Sequence, residues 1–309
     1  MKRRKLCSVS VDLDEIPNYF QIHGLEVPAD GKTATLVYDV AVGRLCTLAS
    51  DAGLPLTLFT IGSDMARPEA AGQLRAAREA GHEIGNHSLD HRYDLVKLGR
   101  SEITRQVSAG ADAIERAVGE RPVGFRAPGY TISDEVFSVL QELGVEYDSS
   151  VFPCPAYFGA KAAAIGLIAA RGRKSHSVLD TPRVLTAPTV PYRVGSPYWK
   201  RGRGIREIPV QVTRGLRLPF IGTSVTLAGP KRARWLAKMC VGDELVNLEL
   251  HGIDVLDAAD GLEALRPFQP DVRVTKETKL AALHAVVDVL KGEGYTFVTM
   301  REAASAILA

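Results

Sequence analysis

Apolar residues fall along this chain in two alternating rhythms. Short β-branched and aliphatic runs are followed by longer stretches whose apolar positions recur every three or four residues, the pattern of a parallel sheet with crossover helices. Residues 6–11 predict a first strand, ending at Asp12-Leu13-Asp14. Helical periodicity over 33–52 stops at Gly53, and 56–61 gives the next strand. A helix over 68–80 begins on Pro68 and is closed by Gly81, as helix boundaries prefer. Strands over 82–86, 123–126 and 145–149 enclose helices over 101–118 and 133–143, the second with Ser133 as N-cap and Gly144 at its end. Residues 153–204, rich in Gly, Pro and Arg, break the rhythm and read as an insertion. Strands over 205–212 and 245–250, a helix over 276–291, a strand over 295–299 and a helix over 301–308 complete the pattern. Seven or eight such βα units in one chain predict a single (β/α) barrel domain over residues 1–309, distorted or incomplete.

Composition adds little to this. The 309 residues are 46% hydrophobic and 24% charged, ordinary for a globular α/β protein. No run reaches the ~18 apolar residues of a membrane span. Met1-Lys2-Arg3-Arg4-Lys5 resembles the charged start of a signal peptide, but the apolar run after it reaches Asp12 without a small-residue cleavage site. Cys7, Cys46, Cys154 and Cys240 are scattered, with no Cys-x-x-Cys, so neither a disulfide framework nor a thiolate metal site is expected. A cytoplasmic protein follows.

Charge changes the picture more. Residues 161–240 hold 16 lysines and arginines against Asp180 and Glu207 alone, a net +14, while the remainder carries −12. One face is therefore expected to meet an anionic partner, or simply to be a solvated basic surface. No nucleic-acid partner is expected.

Candidate chemistry lies where polar residues meet predicted strand ends. His87 and His91, in His87-Ser88-Leu89-Asp90-His91, stand four apart and can project together from one helical turn to grip a metal ion; a solvated helix start is an equal alternative. Asp12 and Asp14 follow the first strand, His87 the third, Arg126 the fourth, and His251 follows Val246-Asn247-Leu248-Glu249-Leu250. The carboxyl ends of barrel strands converge on one face, so residues spread from 12 to 251 can share a pocket. Two aspartates two residues apart on an extended chain share a side, and a metal together with Arg126 would offset their repulsion.

These residues carry a resemblance. Asp12-Leu13-Asp14, His87-Ser88-Leu89-Asp90-His91, Arg126-Ala127-Pro128-Gly129-Tyr130 and Leu248-Glu249-Leu250-His251 occur in the order and spacing of the polysaccharide deacetylase family, the NodB-homology carbohydrate esterases. The chain is most similar to the cytoplasmic branch that writes the first motif Asp-x-Asp. The resemblance implies a NodB-homology type of barrel and a metal-dependent hydrolase that removes an acetyl or formyl group from an amino sugar. It implies Asp14, His87 and His91 as ligands of one divalent ion, Zn²⁺ first, with Co²⁺, Ni²⁺, Mn²⁺ or Fe²⁺ as alternatives. It further implies Asp12 as general base, Arg126 as its orienting partner and His251 as general acid. Gly129 or Tyr130 would supply a backbone oxyanion donor, although the family places its tyrosine directly after the proline. The family's Asp-Trp motif is replaced by Tyr147-Asp148-Ser149-Ser150, leaving Asp148 as either the partner that orients His251 or a strand-end cap.

The insertion bears on partners. Residues 156–170 form an apolar helix candidate followed by Arg171, Arg173 and Lys174, too short to span a bilayer but able to lie in a lipid interface or to be buried. Residues 156–206 are therefore the candidate contact with an anionic membrane or a phosphorylated carrier lipid bearing the acylated amino sugar, with the enzyme peripheral at the inner membrane face. Rival readings of the same ligands are a zinc peptidase, disfavoured because Asp90 is shorter than the required Glu, a two-His-one-carboxylate iron oxygenase, a cyclic-amide hydrolase and a non-catalytic glycan- or lipid-binding relative.

Overall fold

The computed structural model describes residues 4–28, 31 and 33–308; Met1, Lys2 and Arg3 of the basic N-terminal run lie outside them. In chain order the elements are β1 (Leu6–Asp12), α1 (Ile16–Ile22), α2 (Val42–Asp51), β2 (Leu56–Thr60), α3 (Pro68–Glu79), β3 (Glu83–Asn86), α4 (Arg100–Val118), β4 (Gly124–Phe125), α5 (Asp134–Glu142), β5 (Tyr147–Asp148) and α6 (Pro155–Ala170). They continue with β6 (Tyr192–Val194), β7 (Arg201–Glu207), α7 (Gly222–Cys240), β8 (Leu245–His251), α8 (Lys276–Gly292), β9 (Thr296–Phe297) and α9 (Met300–Ile307).

The strands form one curled sheet in the order β6-β7-β5-β4-β3-β2-β1-β8, with β9 joined to the start of β1. Every pairing is parallel except β6 with β7. The central strands β1, β2 and β8 are short and buried on both faces, and β1 and β8 interleave apolar residues with polar ones that turn inward. Between β8 and the segment after β7 the barrel is closed chiefly by side chains. Asn247 Nδ2 donates to the carbonyl of Pro209 at 3.0 Å, and Gln211 Oε1 accepts from the Asn247 N–H at 3.1 Å. The predicted distorted (β/α) barrel is what forms.

Parallel register fixes the site. Asp12, the last residue of β1, stands beside His251, the last of β8. The Arg126 N–H reaches the carbonyl of Asn86 at 3.0 Å, so the chain after β4 runs beside that after β3. Alternation along β1 and β8 then turns Ser10 and Asp12, and Asn247, Glu249 and His251, to the interior of the sheet.

The insertion region holds α6, β6 and the start of β7. The apolar helix is not a buried core helix: along α6 only Ile168 is buried. Tyr157, Phe158, Lys161, Ala162 and Ile165 are half-covered on one side, while the other alanines, Gly159, Gly166 and Leu167 are exposed.

Candidate active site

Three atoms define the centre of the site. Asp14 Oδ1 lies 3.2 Å from His87 Nε2 and 3.1 Å from His91 Nε2. All three are buried and none has a hydrogen-bond partner among the described residues. Buried polar atoms are nearly always paired, so three orphaned donors of metal-ligating type, facing one another within reach of one ion, fit a divalent cation. The other nitrogen of each ring is held. His87 Nδ1 pairs with the carbonyl of Arg126 at 2.8 Å and His91 Nδ1 with Asn18 Oδ1 at 3.1 Å. A ring that donates Nδ1–H to an oxygen presents a bare Nε2 lone pair, the arrangement a metal-binding histidine requires.

The helical turn expected at 87–91 does not exist. Residues 87–91 form an irregular loop in which Ser88 (φ 68°) and His91 (φ 50°) are both left-handed, and it is this reversal that brings the two rings to a centroid distance of 4.8 Å. The loop is seated by close contact with α4, where a Cβ on Gly110 would lie 2.8 Å from Asn86 Oδ1 and 2.9 Å from the backbone of Ser88.

Electrostatics point the same way. Burial alone would raise the Asp14 carboxyl, but the facing His91 and His87 hold it well below the ordinary carboxylate range. Burial lowers His91 despite Asp14. At His87 the burial penalty is outweighed by Asp12 and Asp14, and its value is raised.

Asp12 does not join this triad. Its Oδ1 accepts from Arg126 Nη1 at 2.6 Å, and its Oδ2 stands 3.8 Å from His87 Nε2. The Arg126 guanidinium is fully buried over the Phe59 ring and donates also to Ser10 Oγ, Ser149 Oγ and the Ser149 carbonyl at 2.8–2.9 Å. A cation so fixed holds Asp12 in one orientation beside the metal ligands.

On the other side of Asp12 lies His251. Its Nδ1 is 3.0 Å from Glu249 Oε1, two residues back on β8. Burial would lower this imidazole, but Glu249, with smaller contributions from Asp14 and Asp12, holds it well above its ordinary value. Asp148, the candidate orienting partner, does not take that place. Its carboxylate accepts from the N–H and hydroxyl of Ser150 at 2.9 and 2.8 Å, capping the strand end, and faces Glu207, whose carboxyl is pushed well up by burial and by Asp148. The signal for Glu249 was in the sequence: residues i and i+2 of a strand share a face.

The turn after Arg126 also departs from expectation. The Tyr130 N–H donates to the carbonyl of Ala127 at 3.1 Å and is not free to meet an oxyanion. Tyr130 instead brings its hydroxyl to 3.5 Å from His251 Nε2. Gly129 (φ 63°) and Tyr130 (φ 55°) are both left-handed, and Lys161 Nζ from α6 donates to the Gly129 carbonyl at 2.7 Å. The insertion helix therefore braces this turn, a contact that no local motif announces.

Residues 27–147 match the model of the polysaccharide deacetylase family. The matched segment holds His87, His91, Arg126, Gly129 and Tyr130 but not Asp12, Asp14, Glu249 or His251, which the fold itself brings to them. A peptidoglycan deacetylase from Helicobacter pylori is 26% identical over 152 residues, 49% of this chain and 51% of that protein. The chain thus aligns with about half the length of that relative. Among solved structures, a candidate polysaccharide deacetylase from Mycobacterium smegmatis superposes with a TM-score of 0.61 at 19% identity, covering 100% of this chain and 92% of that one. A family 4 carbohydrate esterase pseudoenzyme from Bacillus anthracis gives 0.52 at 13% identity, covering 98% of this chain and 66% of that one. The fold is shared with both an enzyme candidate and an inactive relative, so activity must be argued from the side chains.

Proposed function

We propose that this protein is a divalent-metal-dependent hydrolase that removes the N-acetyl group of an amino sugar, with formyl as the alternative acyl group. The observation that carries the reading is the meeting of Asp14, His87 and His91 through three orphaned atoms, with an Arg-held carboxylate on one side and a Glu-held imidazole on the other. Two imidazoles and one carboxylate suit Zn²⁺ first, with Co²⁺, Ni²⁺, Mn²⁺ or Fe²⁺ as substitutes. An ion in that cradle would polarise the amide carbonyl and ease deprotonation of water.

The chain's own groups divide the proton transfers. Asp12, aimed by Arg126, takes the proton of the attacking water. His251, kept protonated by Glu249, gives a proton to the departing amine, and that donation lets the C–N bond break. The Tyr130 hydroxyl, beside His251, can donate to the developing oxyanion. This division of labour is what a binding module would not need.

The test is release of acetate and free amine from N-acetylglucosamine oligomers by zinc-loaded protein. Turnover that is lost on chelation and restored by Zn²⁺ is expected; its absence with every metal and acyl donor would refute the reading. A location in a reducing compartment such as the cytoplasm rests on four cysteines that are all free thiols. An anionic membrane as partner rests on exposed α6 and the basic residues after it. It predicts sedimentation with anionic liposomes that is lost when Arg171, Arg173 and Lys174 are changed to Glu.

A further inference from the structure

His91 has a second neighbourhood beyond the metal cradle. It forms part of the wall of a cavity of about 470 Å³, lined by the loop carrying Tyr93 and Lys97 and by residues 174–178. The second wall comes from the insertion and is fastened at several points. Ser175 Oγ donates to the carbonyl of Ile22 at 2.7 Å, and the His176 N–H reaches that of Gln21 at 3.3 Å. Thr131 Oγ1 donates to the carbonyl of Val178 at 3.0 Å. The backbone at Lys174 packs so closely on Gly24 that a Cβ there would lie 3.0 Å from the Lys174 carbonyl. The wall is therefore tied both to α1, which holds Asn18 against His91, and to the Gly129–Tyr130 turn.

The charges lining this cavity do not cancel. Arg92 and Asp94 neutralise one another through two hydrogen bonds of 2.9 and 2.8 Å. Asp90 accepts from Gln106 at 2.7 Å and shares Arg105, at 3.2 Å, with Glu102, so the lining keeps a net charge of +1 from Arg92, Lys97 and Lys174 against Asp90 and Asp94. Lys97 and Lys174 form no ion pair or hydrogen bond through their ammonium groups among the described residues, and both are exposed on the cavity wall with His176 beside them. A ligand beside His91 in this cavity lies in a cleft lined by two ammonium groups from separate segments of the chain, neither of them in an ion pair among the described residues.

We infer that this cleft is an anion subsite: the substrate is an amino sugar bearing a phosphate ester or a carboxylate, which Lys97 and Lys174 bind while the acyl group lies at the metal ligands. The inference rests on the deacetylase reading for the position of the acyl group. An oxyanion between two ammonium groups gains charge-assisted hydrogen bonds without displacing any existing partner.

The experiment is titration calorimetry of zinc-loaded protein with three amines that cannot be deacylated: glucosamine, glucosamine 1-phosphate and muramic acid. Both anionic amines are expected to bind at least tenfold more tightly than glucosamine, or one of them if the site selects phosphate over carboxylate. Lys97→Ala and Lys174→Ala should each remove most of that preference while leaving glucosamine unchanged. Equal binding of all three amines would overturn the subsite. So would an anion preference that survives in the Lys97→Glu/Lys174→Glu double variant, because the anion would then be bound by the metal alone. Acetate release from N-acetylglucosamine 1-phosphate is measured alongside. No release with the lysine-dependent preference intact removes the hydrolytic reading and leaves the subsite standing.

Discussion

At the scale of single residues, turnover depends on which group holds which proton. His251 must be protonated when the amine leaves, and Glu249 is what keeps it so. An imidazole raised above its ordinary value stays charged to higher pH, so the alkaline limb of the kcat profile should lie above the pH expected for a free histidine. Glu249→Gln removes the negative charge and should move that limb toward acid; a limb that does not move would assign the proton elsewhere. His251→Ala should lower kcat by roughly 10²- to 10⁴-fold while the metal stays bound. Asn18→Leu releases the Nδ1 side of His91 and should weaken Zn²⁺ about 10- to 100-fold in a chelator competition, with little change in unfolding free energy. The ligands and Arg126 were legible because they stand at strand ends in the chain. Asn18 and Lys161 were not, since each acts on a residue that only the folded chain brings near, whereas Glu249 stands two residues before His251 on the same strand and its pairing is readable from that spacing.

At the scale of elements, central strands announce themselves as apolar runs, whereas loops with left-handed residues do not. Nothing in His87-Ser88-Leu89-Asp90-His91 marks Ser88 and His91 for positive φ, and a helical turn was the simpler reading of the spacing. Helix α7 was missed for a different reason: Gly229 (φ 71°) and Pro230 break it in mid-course, and the pair reads as a terminator. The β6–β7 hairpin was hidden because Arg201-Gly202-Arg203-Gly204 carries no apolar period; its register is set by backbone approach, with a Cβ on Gly202 only 2.4 Å from the Gly195 Cα. Close approach also makes α4 a part of the site. Gly110→Ala would push on Asn86 and Ser88, so a loss of roughly 1–3 kcal/mol in urea unfolding is expected, accompanied by weaker Zn²⁺ binding. Unchanged metal affinity in a destabilised variant would show that α4 does not seat the histidine loop.

At the scale of the whole molecule, the metal cradle joins segments far apart in sequence: Asp14 after β1, His87 and His91 after β3, with Asp12 held by Arg126 after β4. An ion bound to the folded chain alone adds RT ln(1 + [M]/Kd) to stability, about 2.7 kcal/mol at a hundredfold excess over Kd. Chelation should therefore lower Tm by several degrees, and Zn²⁺ should restore it. The basic stretch over 161–240, legible in the charge count as +14, overlaps the insertion, which proves to brace the site through Lys161 and to wall the cleft beside it through residues 174–178. Its apolar helix could not be assigned to core or surface by pattern alone, because alanine and glycine are at ease in both.

The central claim is that two aspartates two residues apart have separate tasks. Metal content measured by plasma mass spectrometry on purified, zinc-dialysed Asp12→Asn and Asp14→Ala, each paired with an acetate-release assay, tests it most directly. One zinc per chain with turnover abolished is predicted for Asp12→Asn, and neither zinc nor turnover for Asp14→Ala. Equal loss of zinc in both variants, or zinc retained by Asp14→Ala, would contradict the assignment.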